Sequence, residues 1–177
     1  STVASCTPCG AGSITNSGPS PGATLCTECV AGKYSAASSA TACILCASGT
    51  YGAAEGADQA EDCISCEAGK YQEDGGKSFC KSCAAGTKRA SDDSTSSCVT
   101  CIVGRYSGAQ ASSCTECAAG SATDTLASAG GTQCTACTAG QASSNATVAC
   151  ADCEAGLYSG TQAMLCDECG EGAVVTD

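Results

Sequence analysis

The chain has 177 residues, 18 acidic against seven basic side chains, no histidine and a formal charge of −11. That balance argues against nucleic-acid and anionic-membrane partners, and without histidine there is no Ser-His or Cys-His nucleophile pair. The 43% hydrophobic content is mostly alanine (33) and cysteine (20), while Leu, Ile, Val and Phe number only 17. So few large side chains cannot offset an ordering cost of about 1.5 kcal/mol per residue, and a covalent or metallic staple has to supply the difference.

Taken from the N-terminus, one pattern recurs ten times: Cys-x-x-Cys-x-x-Gly, with a tyrosine often two residues further on. The first cysteines are Cys6, Cys26, Cys43, Cys63, Cys80, Cys98, Cys114, Cys134, Cys150 and Cys166. Their partners three residues on are Cys9, Cys29, Cys46, Cys66, Cys83, Cys101, Cys117, Cys137, Cys153 and Cys169. The glycines are Gly12, Gly32, Gly49, Gly69, Gly86, Gly104, Gly120, Gly140, Gly156 and Gly172, and Tyr34, Tyr51, Tyr71, Tyr106 and Tyr158 fill half of the following slots. Ile14, Lys88, Ala122, Ala142 and Val174 fill the others. The gaps between successive pairs have lengths of 16, 13, 16, 13, 14, 12, 16, 12 and 12. Longer and shorter gaps mostly alternate, so the expected unit is a double repeat of about 36 residues. Five modules follow: 1–42, 43–79, 80–113, 114–149 and 150–177, the last short enough to be truncated.

The gaps are rich in Ser, Thr, Ala, Gly and Asp, as in Ser35 to Ala42 and Ser91 to Ser97. They show no sustained helical or alternating periodicity. The predicted fold class is therefore a small disulfide-rich repeat protein: an elongated rod of tandem CxxC modules, with short strands near the Gly-x-Tyr segments, irregular loops and little or no helix. At about 20 Å per module the array would reach on the order of 100 Å. Its radius of gyration would be about 30 Å, against roughly 16 Å for a compact globule. There is no apolar run of membrane-spanning length, no signal peptide and no initial methionine. The chain reads as a mature or partial stretch whose two ends look like cuts through a longer array.

Cysteine at this density is the mark of a secreted disulfide scaffold in an oxidising compartment. The alternative is a zinc array, since paired Cys-x-x-Cys motifs have zinc-ribbon spacing. Against it stand the acidic balance and the missing histidine. Redox chemistry of the thioredoxin kind needs one pair at a helix start in a βαβ unit, which this chain lacks. Two disulfide connectivities fit. In a crossed ladder, Cys6–Cys26 and Cys9–Cys29 pair, then Cys43–Cys63 and Cys46–Cys66, Cys80–Cys98 and Cys83–Cys101, Cys114–Cys134 and Cys117–Cys137, and Cys150–Cys166 and Cys153–Cys169. In a chain of loops each second cysteine bonds the next first one, as Cys9–Cys26 and Cys29–Cys43, leaving Cys6 and Cys169 over. The crossed ladder uses every cysteine and matches the alternating gaps, and it is the expected pairing.

Glycine after every pair implies a tight turn with φ > 0. The tyrosines are expected to pack over disulfides, with an exposed recognition stripe as the alternative. Lys33, Lys70 and Arg105 should then face solvent. The acidic groups Asp58, Glu61 and Asp62, Glu73 and Asp74, and Asp92 and Asp93 lack the EF-hand pattern and read as solvated surface. Asn145-Ala-Thr147 is an N-glycosylation sequon in a polar gap. No catalytic, cofactor or metal residues are assigned, and the chain is not expected to be an enzyme: its carboxylates could serve hydrolysis only across a shaped pocket.

Segments such as "CVAGKYS" (Cys29–Ser35), "CIVGRYS" (Cys101–Ser107) and "CEAGLYS" (Cys153–Ser159) resemble the ephrin-receptor-like cysteine-rich repeat. More loosely the pattern is similar to tumour-necrosis-factor-receptor modules and to protist cysteine-rich surface proteins. The resemblance runs from Cys6 to Gly172 and implies an extended, disulfide-laddered extracellular or cell-surface segment. Expected partners are other extracellular proteins or further copies of the chain, with glycans between them. The expected role is a stiff spacer or building block of a filament, coat or stalk; the alternatives are a receptor-like protein-binding ectodomain and, if the cysteines are reduced, an intracellular zinc array.

Overall fold

A computed structural model describes residues 7–17, 22–91 and 96–170. Their contacts fall into two units, one of residues 1–81 with 92–97 and one of 82–91 with 98–177. The same local device builds both. The residues after the repeat glycine form a strand of two or three residues, and its antiparallel partner is the interior of the next Cys-x-x-Cys. In the first unit Ser13–Thr15 pairs with Cys26–Glu28, Lys33–Tyr34 with Ile44–Leu45, and Thr50–Tyr51 with Ile64–Ser65. In the second, Thr87–Lys88 pairs with Val99–Thr100, Arg105–Tyr106 with Thr115–Glu116, and Ser121–Thr123 with Cys134–Ala136. Gln141–Ala142 with Ala151–Asp152 and Leu157–Tyr158 with Asp167–Glu168 complete it. The short strands expected near Gly-x-Tyr are present; their partner strands inside the cysteine pairs were not foreseen. One 3₁₀ turn, Ala60–Asp62, is the only helical element among the described residues. None of them forms a helix long and apolar enough to cross a membrane.

Within each unit, hairpins are joined to their neighbours by the backbone. The slot after the glycine makes a parallel bridge to the following gap: Ile14 to Ala40, Tyr34 to Ala57, Lys88 to Ala111, Tyr106 to Gly131 and Ala142 to Ala163. The repeat glycine itself donates its N–H to the residue that follows the next slot, as Gly12 to Ser35 (2.8 Å), Gly32 to Gly52 (2.8 Å), Gly86 to Ser107 (2.8 Å) and Gly140 to Ser159 (3.0 Å). A two-residue strand is not stable alone. Here its hydrogen-bonding edge is taken up by the neighbouring copy, so the array is the folding unit.

The interior is not aliphatic. Of the 14 Leu, Ile, Val and Phe residues described, 12 are exposed and none is buried. Most of the buried positions belong to the second cysteines, Cys9, Cys29, Cys46, Cys66, Cys83, Cys101, Cys117 and Cys137, and to polar residues three places after the glycine: Ser35, Gln72, Arg89, Ser107, Thr123, Ser143 and Ser159; Ala57, Ser121 and Ala122 join them. Half-cystine and a polar side chain, a hydroxyl in five of the seven copies, fill the space between stacked two-stranded ribbons.

Candidate functional site

The disulfides overturn the crossed ladder. Nine bridges are described: Cys9–Cys26, Cys29–Cys43, Cys46–Cys63 and Cys66–Cys80 in the first unit. The second unit holds Cys83–Cys98, Cys101–Cys114, Cys117–Cys134, Cys137–Cys150 and Cys153–Cys166. Their Cα–Cα distances run from 5.4 to 5.8 Å, the usual span of a disulfide. The crossed pairs, such as Cys9–Cys29, Cys43–Cys63, Cys80–Cys98 and Cys153–Cys169, are absent. The reason is the strand inside each pair. Residues three apart on an extended segment face opposite sides, so Cys26 faces back to Cys9 while Cys29 faces forward to Cys43. A crossed ladder would need both to face the same neighbour. Cys169 has no bridge, and Cys6 lies outside the described residues. Eighteen cysteines held as cystine leave the zinc alternative no Cys₄ set, and no group of His, Cys, Asp and Glu suited to a metal occurs among the described residues.

All nine repeat glycines described have positive φ, from +67° to +90°, as the tight turn requires; Gly172 lies outside the described residues. The structure adds a second demand at some of them. A Cβ on Gly120 would stand 1.9 Å from the carbonyl oxygen of Gln162, and one on Gly32 would stand 2.4 Å from that of Gly76. The turn of one copy thus receives the gap loop two copies on. That loop is itself left-handed at its tip, at Ser39, Gly56, Gly76, Gln110, Gly130 and Gln162, with φ between +59° and +87°. Each tip donates its N–H to the carbonyl of a second cysteine: Ser39 to Cys9, Gly56 to Cys29, Gly76 to Cys46, Gln110 to Cys83, Gly130 to Cys101 and Gln162 to Cys137, at 2.7 to 2.9 Å. Three tips are not glycine, which is why this contact was illegible in the sequence.

The buried polar residue after the slot is the second feature missed. Its signal was the Ser ending "GKYS", "GRYS" and "GLYS". Ser107 Oγ donates to the Thr87 carbonyl at 2.9 Å and Ser159 Oγ to that of Gln141 at 2.8 Å, tying each copy to the one before. Gln72 Nε2 donates to the Phe79 carbonyl at 2.8 Å, and Ser143 Oγ to that of Val148 at 2.6 Å, closing their own gaps. No buried side-chain nitrogen or oxygen among the described residues lacks a partner, as a polar core requires. Two of the longest gaps are closed by a side chain four residues after the glycine. Asn16 Oδ1 accepts from the Thr24 N–H at 3.1 Å, and Asp124 Oδ1 from the Thr132 N–H at 2.8 Å. Hydrogen bonds from the Thr132 hydroxyl and N–H hold the Asp124 carboxyl below its usual range.

Tyr34, Tyr51, Tyr71 and Tyr106 are half-buried and Tyr158 is exposed. Cross-strand pairing sets Tyr34 beside Ile44 and Tyr51 beside Ile64 on one face. The adjoining strand position carries polar pairs: Arg105 bonds Glu116 at 3.1 Å and Gln141 Nε2 donates to Asp152 at 2.9 Å. Lys33 sits opposite Leu45, and Lys70 bonds Glu67 at 3.2 Å. The acidic groups have separate structural work. Asp62 accepts the N–H groups of Asp58 and Gln59 at 3.0 Å each, capping the 3₁₀ turn. Glu61 lies exposed in that turn, Glu73 pairs with Lys81, and Asp74 pairs with Lys77 at 3.6 Å. Asp92 and Asp93 lie outside the described residues. Asn145 is exposed, and its Oδ1 accepts from the Thr147 N–H at 2.9 Å.

A tandem array of hairpins stapled gap by gap by disulfides defines a small disulfide-rich repeat protein. Two stretches, residues 19–63 and 57–98, match the family model described as tyrosine-protein kinase ephrin type A/B receptor-like. These stretches are ephrin-receptor-like cysteine-rich repeats, and the same cysteine and glycine pattern continues to the last described pair. No curated protein sequence matches the chain.

Proposed function

We propose that this chain is a structural segment of an extracellular or cell-surface protein, a spacer or building block of a filament, coat or stalk, made of five double repeats (1–42, 43–79, 80–113, 114–149 and 150–177). The observation that carries the reading is the backbone and disulfide continuity of each unit. Every described gap is closed by its own cystine, and within each unit copies hydrogen-bond to their neighbours through the repeat glycine, the left-handed tip or, at Thr123, the strand that follows the glycine. Load along such a chain passes through covalent staples and backbone bonds. Disulfide density and the repeat family support the oxidising, extracellular compartment. In this reading the chain is no enzyme, and Asn145 carries N-linked glycan.

The test is secretion of the chain from eukaryotic cells, followed by scattering on the oxidised product. A spacer should be secreted with its cysteines oxidised and lose mass at Asn145 on enzymatic deglycosylation. It should scatter with a radius of gyration of about 30 Å. Retention in reduced form, or a radius of roughly 16 Å, would overturn the reading. A receptor-like ectodomain is the second reading, and one observation favours it: the large apolar residues are displayed rather than buried, including Leu25, Phe79, Ile102 and Leu165, all of them well exposed.

A further inference from the structure

In the second unit the sequon Asn145-Ala146-Thr147 lies where one copy stacks on another. The turns at Gly32, Gly86 and Gly120 each face a left-handed tip, at Gly76, Gly130 and Gln162. The turn at Gly104 faces the sequon instead: a Cβ on Gly104 would stand 3.3 Å from Thr147 Cγ2 and 3.6 Å from the Ala146 Cβ. The sequon thus takes the seat that a tip fills elsewhere. Its backbone is tied as well. The Ala146 carbonyl accepts two hydrogen bonds from Thr123, from the N–H at 2.9 Å and from Oγ1 at 3.1 Å, and Thr123 is only 2% exposed. Ser143 Oγ donates to the Asn145 carbonyl at 2.9 Å. The Thr147 N–H and hydroxyl both donate to Asn145 Oδ1, at 2.9 and 2.6 Å, and close an Asx turn. Cys150, shortly after the sequon, staples the gap to Cys137.

The two polar atoms of the Asn145 side chain differ. Oδ1 is taken up by Thr147, whereas Nδ2 belongs to an exposed residue and meets only the Ser144 hydroxyl, at 3.5 Å, the limit of a hydrogen bond. Glycan transfer breaks the bond between the first sugar carbon and the diphosphate of a lipid-borne donor. It forms a bond from that carbon to Nδ2, and it releases the lipid diphosphate and one Nδ2 proton. Only Nδ2 is used, so the product keeps Oδ1 and both bonds from Thr147. The fold can therefore hold a glycan at Asn145, yet it resists receiving one. The motif requires a hydroxyl at its third position, so the transferring enzyme has to read Thr147 Oγ1 and take the intervening backbone into its cleft. In the fold that hydroxyl is bound to Asn145 and the Ala146 carbonyl to Thr123. Freeing the sequon breaks both bonds from Thr123 and the one from the Thr147 hydroxyl. At the usual net value of a hydrogen bond, the free form is populated in on the order of one molecule in a hundred or fewer.

We propose that folding and glycosylation compete at Asn145: the sequon accepts its glycan only until it docks on Thr123 and the Gly104 turn and Cys137–Cys150 closes, after which the fold keeps the glycan but admits none. The inference rests on the reading above, that the chain is secreted with a glycan at Asn145, and adds the state in which that glycan is acquired. Synthesis at roughly 5–20 residues per second delivers Cys150 within about a second of Asn145. Cystine formation takes seconds or longer. The time open to the enzyme is therefore set by oxidation of the gap rather than by elongation, and any delay in closing Cys137–Cys150 raises the fraction of chains that carry glycan.

The experiment starts from the full chain made without glycan in an oxidising bacterial periplasm, its disulfides mapped. The chain is offered, either oxidised or reduced and alkylated, to purified oligosaccharyl transferase with a lipid-linked oligosaccharide, and transfer is read as a gain in intact mass. Asn145→Gln is the blank. The expected result is ready transfer to the reduced chain and transfer about a hundredfold slower to the oxidised one. Thr123→Val removes the hydroxyl bond to Ala146 and keeps the N–H bond and the β-branched shape. Oxidised, with its disulfide map unchanged, it should accept glycan about fivefold faster than the oxidised parent; reduced, it should match the reduced parent. Equal rates for the oxidised and reduced parent, or no gain in oxidised Thr123→Val, would overturn the proposal and leave Asn145 standing as a glycan site. Transfer to neither form would remove the site itself and the proposal with it.

Discussion

Replacing Gly120 by alanine isolates the contact that stacks one copy on another. Two costs follow from the structure. The first is conformational: φ at Gly120 is +67°, and a Cβ in the left-handed region costs about 1–2 kcal/mol. The second is steric. The new methyl would stand 1.9 Å from the Gln162 carbonyl oxygen, so the tip must withdraw by about 1.5 Å to reach an ordinary contact near 3.4 Å. That withdrawal breaks the Gln162 N–H bond to the Cys137 carbonyl, 2.9 Å long, and removes about 1 kcal/mol more. The total is about 3 kcal/mol, or roughly a hundredfold in the local opening equilibrium.

Gly140→Ala is the matched control. Its φ is +81°, its carbonyl likewise accepts from the second cysteine of the next pair, and nothing lies within 4 Å of the added Cβ. It should cost only the conformational share, about tenfold. Amide hydrogen exchange reads both variants. In Gly120→Ala the Cys137 and Gln162 amides should exchange about a hundredfold faster, and in Gly140→Ala the Cys153 amide about tenfold faster. Equal accelerations would mean that the close approach of turn and tip carries no energy, and would refute the stacking argument.

Disulfide mapping by mass spectrometry should recover peptides joined as Cys9–Cys26 and Cys29–Cys43, and maleimide should label Cys169 in the native chain; a Cys6–Cys26 or Cys9–Cys29 peptide would restore the crossed ladder. Gln110→Gly should stabilise the second unit by up to about 1 kcal/mol, because Gln110 holds φ +59° at a tip where other copies have glycine; a lower urea midpoint would show that the tip is not strained. Asp124 has a folded pKa depressed below 3.8, so its contribution is fully present above that value and is lost as pH falls through the lower folded value. Exchange of the Thr132 amide, measured relative to a distant amide, should therefore rise in that acid window, and Asp124→Ala should abolish the pH dependence; the same acid response in the variant would assign it to another group.

Cysteine count, charge and repeat spacing determined by themselves that this is a disulfide-stapled tandem array with turns at the glycines. Those are properties of local chemistry and counting: 20 cysteines in ten pairs, a tenth of the chain in Leu, Ile, Val and Phe, and a glycine three residues after every pair. Only the tertiary structure decided the pairing of the cysteines. Spacing allowed both connectivities, and the choice depends on which side of a short strand each sulfur faces. That strand exists because Cys26–Glu28 and its counterparts find partners after the preceding glycine, a long-range pairing with no signature inside the motif itself. The core was hidden for a related reason. Ser35, Gln72 and Thr123 are buried by the approach of a neighbouring copy, while Leu25, Phe79 and Leu165 stay outside because no neighbour covers them in their unit. Hydrophobicity of a residue says what its burial would gain, but in a stack of two-stranded ribbons the geometry of the stack decides which side chains have a neighbour to be buried against.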